Sequence, residues 1–428
     1  MKFDYLIIGN SAAAAGCIEG IRETDKKGTI AVISDEKHHI YSRPLISYLL
    51  KGDVTEKQMN YRPADFYKVN GVEALLGKRA VSVDSKNKTV ALESGEIIEY
   101  NKLLLATGSK PFVPPMEGLD SVKNRFSFMK WDDVKALEKV VKKGSKILII
   151  GAGLIGLKAA EALEHFGVDM TVIDLADRIL PSILDKQTSE IMQKHIEAHG
   201  VKFLLGTSAK SFSGNTAVLT NGDEIKFDIL ITAVGVRPNT ELAESAGGKA
   251  ERGILTDKKQ AVKGCKSIYA AGDCTVSEDI TDGKQKPIAI MPNAYAQGHV
   301  AGRNMAGNTD KFETAFPMNA IGFFGLHIIT AGQRDAAPNS ASRGEPSQFH
   351  CYEEIDGENV KKLFSSGNRL NGFILMGEKI ARAGIYTALI RERTDLSTVD
   401  YELLCKAPQL AAFAKEKRAE ILSKGGAA

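Results

Sequence analysis

One short pattern occurs twice in this chain, and it constrains the fold more than any other feature. Tyr5-Leu6-Ile7-Ile8 runs into a turn of small residues and an alanine-rich helix, and Ile147-Leu148-Ile149-Ile150 does the same about 140 residues later. An aliphatic run that ends in glycine reads as a parallel strand buried on both faces, with the following helix packed back over it. Two copies predict two βαβ units, each collecting its turns at the C-terminal edge of a sheet.

Further strand ends fit the same plan. Lys102 to Ala106 ends at Thr107-Gly108, and Pro111, Pro114 and Pro115 then mark a crossover. Ile229 to Val234 ends at Gly235, and Ser267 to Ala271 ends at Gly272-Asp273. From Phe316 the pattern changes: Gln348 to Glu354, Lys361 to Ser365 and Gly372 to Met376 alternate as antiparallel strands, followed by helices from about Lys379 and Asp400. The apolar run Asn319 to Leu326 is expected to pack within this region. A chain of 428 residues exceeds what one core supports. The expected fold class is α/β, with two Rossmann-like domains and a C-terminal α+β domain. Its segments are 1–115, 116–237, 238–315 and 316–428, the first and third forming one domain.

Charge and cysteine usage narrow the function. The formal net charge of +3 is spread without long blocks of one sign, which argues against nucleic acid. The apolar run before Gly9 is too short for a signal peptide, and no stretch approaches the ~18 to 20 residues of a membrane span. A cytoplasmic protein is expected. Cys17, Cys265, Cys274, Cys351 and Cys405 form no C-x-x-C pair, so no metal site is expected and any metal centre belongs to a partner.

The second turn carries the full G-x-G-x-x-G pattern in Gly151, Gly153 and Gly156, with Leu154 and Ile155 opening the helix. Such glycines allow a tight turn, close approach to a pyrophosphate and close helix packing, while helix N–H groups meet the phosphate charge. Asp174, 23 residues after Gly151, ends the strand Met170 to Ile173 and is placed to accept ribose hydroxyls. Leu175 follows it and no arginine occurs before Arg178, which favours NADH over NADPH. The first turn is degenerate, Gly9-Asn10-Ser11-Ala12-Ala13-Ala14, with Ser11 and Ala14 where glycines are usual. Asp35 and Glu36 follow the strand Thr29 to Ile33 and supply its ribose acid.

Together, the turn Gly9 to Ala14, Ala106-Thr107-Gly108-Ser109, the turn Gly151 to Gly156, Ala233 to Asn239, and Tyr269-Ala270-Ala271-Gly272-Asp273 resemble the pyridine nucleotide–disulfide oxidoreductase superfamily, the two-dinucleotide-binding-domain flavoproteins. The resemblance covers essentially the whole chain. Tyr41-Ser42-Arg43-Pro44-Leu45 is similar to the branch that holds NADH:rubredoxin and ferredoxin reductases and apoptosis-inducing factor. It implies FAD bound by 1–115 and 238–315, NADH bound by 116–237, and an interface domain at 316–428 through which relatives often dimerise. It also implies Arg43 near the FAD pyrophosphate, Asp273 against its ribitol, Val81 holding adenine through its backbone, and a helix from Asn293-Ala294 aimed at the flavin pyrimidine edge.

Two departures matter. Relatives that work through a redox cysteine carry it just past the second strand, where this chain has none; Cys17 and Cys274 read as packing residues. Many relatives also pair a lysine after the Arg-Pro with a glutamate after the last NADH-motif glycine, whereas this chain has Tyr48 and Lys158 there. Lys158 is then the expected source of positive charge beside reduced flavin, its alternative being a solvated helix lysine.

The expected enzyme is an NADH-dependent FAD oxidoreductase that passes electrons to a rubredoxin- or ferredoxin-type iron–sulfur protein, or to the iron–sulfur subunit of a larger complex. The alternatives are an NADH oxidase or coenzyme A-disulfide reductase, and a redox-sensing flavoprotein that acts by binding. Lysines around Lys361, Lys362, Lys415 and Lys417 are candidates to meet an acidic carrier.

Overall fold

The computed structural model describes residues 1–334 and 349–425, and the chain groups into two compact units. The first contains 1–177, 200–279 and 284–315; the second contains 178–199, 280–283 and 316–428.

Two sheets with parallel centres form the core of the first unit, the first extended by antiparallel strands. In one, Lys2–Ile8 lies between Ile30–Ser34 and Ile97–Leu105, with Ile8 in register with both Ile33 and Leu105. Ile268–Ala270 adds to the far side of Ile97–Leu105. Every residue of Ile30–Ser34 is buried, as expected of a strand covered on both faces. In the other, Lys146–Ile150 lies between Asp169–Asp174 and Ile229–Thr232. The helices Ala12–Thr24 and Leu154–Leu163 follow the two glycine turns. The chain passes between the sheets on a two-stranded antiparallel ribbon, Ser109–Pro111 against Val236–Pro238.

The second unit is built on a five-stranded antiparallel sheet, with helices Ala383–Arg391 and Tyr401–Lys406 over Leu363, Phe373 and Leu375. The sequence reading found three of its strands, now His350–Asp356, Asn359–Ser366 and Arg369–Met376; Gln348 lies outside the described residues. The apolar run from Asn319 is a hairpin, Met318–Phe323 and Leu326–Gly332, that buries Phe323, Phe324 and Leu326.

One expectation is overturned here. Lys361 and Lys362 are 4% and 3% exposed and offer no docking face. As neighbours on a strand they point to opposite sides. Lys361 donates to the carbonyls of Cys405 and Lys406 at the end of the Tyr401–Lys406 helix, where the helix dipole favours a cation. Lys362 pairs with Asp185 at 2.6 Å and Glu353 at 2.7 Å, and Asp185 itself caps the helix Lys186–Ala198. Burial works against a charged Lys362, and the two carboxylates outweigh it.

Candidate functional site

Three strand ends of the first sheet meet at one edge. Gly9 has φ +112°, and a Cβ there would be driven into the Ala106 carbonyl, so only glycine fits this turn. Ala106 donates its N–H to Ile8 and Ala271 donates to Leu105, which brings 9–13, 106–108 and 271–273 together. Ser11 caps the Ala12–Thr24 helix by backbone alone, leaving its hydroxyl uncommitted to the cap. Ala12 and Ala13 are buried in the first turn. Thr107 is fixed from the side: its hydroxyl donates to the Asn239 carbonyl, and the Asn239 amide donates back, both at 2.8 Å. Gly108 accepts from the Asn239 N–H.

Asn10, which sequence reasoning passed over, ties this turn down. Its amide donates to the His38 carbonyl and its oxygen accepts from the Tyr67 hydroxyl at 2.7 Å. The loop after the second strand then separates the two acids. Burial would raise the Asp35 pKa, but Lys130, 2.9 Å away, holds it below the usual carboxylate range. Glu36 is buried and accepts from the Tyr41 hydroxyl at 2.7 Å and from Arg43 at 2.5 Å. Val81 sits at a bulge, the extra residue between Ala80 and Ser82, so its backbone is out of register with the neighbouring strand.

Asp273 behaves as a cleft residue. Burial pushes its pKa up, opposed by the Arg43 charge, while its side chain keeps partial solvent access. Among the described residues its carboxylate has no hydrogen-bond partner. A partly desolvated carboxylate left in that state points to a ligand that supplies the partner. Asn293 and Ala294 lie in the first turn of the helix that faces this edge, which begins at Met291, two residues earlier than expected.

In the second turn the three glycines have three separate causes. Gly151 has φ +114° and abuts the Ala233 carbonyl. Gly156 abuts the Gly151 carbonyl, which sets the close packing of helix on strand. Gly153 has neither constraint, since a Cβ there would meet nothing within 4 Å. Space kept open at the N-terminus of a helix, beside accessible Leu154 and Ile155, fits a phosphate. The Asp174 carboxylate accepts from the Ala152 and Ala176 N–H groups at 2.7 and 2.8 Å, which fixes it beside the turn. Leu175 is 72% exposed next to it. Gly235 lies in the loop after Ile229–Thr232, with open space around it.

Lys158 is largely buried. It pairs with Glu161 one turn on, and its ammonium lies 4.5 Å from the centre of the Tyr48 ring. The two positions that depart from the family pattern therefore touch, where the helix Ile46–Lys51 packs on Leu154–Leu163.

No thiol is prepared for chemistry. Burial pushes the pKa of all five cysteines up, Cys17 and Cys274 being wholly buried. Cys17 packs 3.7 Å from the Met305 sulfur. Among the described residues no cluster of three His, Cys, Asp or Glu side chains is placed to hold a metal, and no helix is long and apolar enough to cross a membrane.

Each sheet carries a glycine turn with an acid at the end of the next strand, the arrangement of an oxidoreductase built around two dinucleotides. Residues 3–298 match the pyridine nucleotide-disulphide oxidoreductase family, and the chain belongs to it. It is an NAD(P)H-dependent flavoprotein, with FAD and NADH as its cofactors. It is 29% identical to the NADH-dependent phenylglyoxylate dehydrogenase subunit epsilon of Aromatoleum evansii over 92% of each chain. It is 34% identical to an NADH oxidase of Methanocaldococcus jannaschii over 72% of this chain and 71% of that one. The assimilatory nitrate reductase electron transfer subunit of Bacillus subtilis is 29% identical over 94% of this chain, which spans about half of that relative's length. Among solved structures, a NAD-dependent persulfide reductase from A. fulgidus superposes with a TM-score of 0.84 at 25% identity, covering 94% of this chain and 79% of that one.

Proposed function

We propose that this chain moves electrons between NADH and a one-electron iron–sulfur protein, either a rubredoxin- or ferredoxin-type carrier or the iron–sulfur subunit of a larger complex. The observation that carries the reading lies at the proposed flavin site: Asp273 is within reach of the Arg43 charge, and the adjacent Cys274 is a buried thiol, its pKa pushed up, resting on the carbonyls of Leu105 and Ala271. Without a thiolate, disulfide reduction has no nucleophile in this chain. The relative from Aromatoleum evansii, matched over 92% of each chain, is a dehydrogenase subunit, which supports the subunit form.

When bound, FAD supplies the chemistry, taking a hydride from NADH and giving up electrons singly. The chain supplies alignment. Gly9, Ser11, Ala12, Ala13, Asp35, Glu36, Arg43, Val81, Ala106, Thr107, Gly108, Asp273, Asn293 and Ala294 hold FAD in this reading; Gly151, Gly153, Leu154, Ile155, Gly156, Asp174 and Gly235 hold NADH.

Lys158 has the role of placing positive charge where the two cradles approach, moderated by Glu161. Lys158→Gln should lower the flavin potential and slow reduction by NADH; both unchanged would remove it from the mechanism.

The test of the function is anaerobic. The purified protein is reduced with NADH or NADPH and then mixed with oxidised rubredoxin or ferredoxin. Rapid bleaching by NADH and onward transfer support the proposal. Rapid reoxidation by oxygen alone, insensitive to either carrier, would overturn it in favour of an NADH oxidase.

A further inference from the structure

The structure assigns to Gln297 the positioning of Asp273, an inference that rests on the reading of this cleft as the FAD site. Gln297 lies on the Met291–Met305 helix and is 3% exposed. Its side-chain oxygen accepts from the Gly272 N–H at 2.8 Å. Its amide nitrogen donates to the Ser277 hydroxyl at 2.7 Å. The orientation of the amide follows from chemistry, because a backbone N–H only donates and must face the oxygen.

The other side of Gly272 is held as well. Its carbonyl accepts from the Thr275 N–H at 2.9 Å and from the Thr275 hydroxyl at 2.8 Å. A side chain at Gly272 would press on Ala13 and Ala294, so the turn has no room to shift. Asp273 comes next in the chain. Since its carboxylate is held by no hydrogen bond among the described residues, its place in the cleft is set by this backbone turn. Gln297 grips the Gly272 N–H from the neighbouring helix, the same helix that packs against the first glycine-turn helix.

Preorganisation of this kind shows in ligand retention more than in fold. Gln297→Met keeps the side-chain length and removes every hydrogen bond. We expect the holoprotein carrying it to release FAD roughly tenfold faster than wild type, read as the rise in free flavin fluorescence after dilution. NADH affinity should be unchanged. Asp273→Asn should also speed release, and the double variant should release no faster than Asp273→Asn alone, because Gln297 acts through Asp273. A purely structural role would make the two effects multiply, and that outcome, or wild-type release from Gln297→Met, overturns the inference. If Gln297→Met does not accumulate folded, Ser277→Ala loosens the same amide from its outer side. Its faster release must then disappear in the Asp273→Asn background, and its persistence overturns the inference equally. A wild-type protein without flavin would instead defeat the reading of the cleft.

Discussion

The two glycine cradles share one topology and solve the same packing problem with different residues. In the second, Gly156 lets the helix lie against its own strand turn. In the first, Ala14 stands in that place, and close packing has moved to a pair of helices. A Cβ at Gly298 would be driven into the Ala13 carbonyl and one at Gly302 into that of Cys17, while Gly16 and Gly20 meet the Tyr295 and His299 carbonyls. The glycines of a fingerprint therefore belong to separate tasks, and a task can migrate to another element while the cradle survives.

That division makes unequal effects expected. The largest is Gly298→Val, where a side chain meets backbone that cannot yield; a loss of about 3 kcal/mol or more is expected in thermal or denaturant unfolding. Equal stability would show that the helix pair is not what replaced the missing glycine. Next, Asp174→Ala with Leu175→Arg should move the NADH-to-NADPH preference by about 100-fold, roughly 2.8 kcal/mol, with FAD content unchanged. Steady-state kinetics with both nucleotides measure it.

Gly153→Ala is smaller and more selective: NADH binding should weaken by about tenfold while the melting temperature stays within a degree or so, because the added methyl meets only ligand space. A matching loss of stability would mean that Gly153 serves packing after all.

The smallest effect lies outside both cradles. Burial raises the Glu354 pKa, but hydrogen bonds from Lys379, Tyr352 and Lys361 outweigh it and hold the group at about 2. Its contribution is full above the unfolded value of about 4.3 and is lost as pH falls through about 2. Glu354→Gln should thus cost about 1 kcal/mol at neutral pH, with the gap closing in acid unfolding, and leave both cofactors bound.

What sequence could reveal was whatever local chemistry dictates. The strand ends, Asp174 and the accessible Gly153 follow from spacing alone. The sequence reading also placed Tyr48 and Lys158 at paired positions, but nothing in spacing showed Glu161 neutralising the cation. Asn10, Gln297 and Lys130 were missed because their partners are 28, 25 and 95 residues away. Lys361 and Lys362 were misread because lysine is seldom buried, and their acceptors, Asp185 among them, come from distant segments. One signal was available: Gly16 with Gly20, and Gly298 with Gly302, each repeat at one helical turn and mark two faces that can meet.

The pairing of Ile268–Ala270 with Ile97–Leu105 sets an order of events during synthesis. The strands of the second cradle, 146–150, 169–174 and 229–232, all emerge from the ribosome before residue 268 does. The first cradle stays an open edge until then, because its third loop and Asp273 have not been made. On the proposed assignment, flavin capture is a late step in the birth of the protein, because the loop that carries Asp273 is made after every one of those strands.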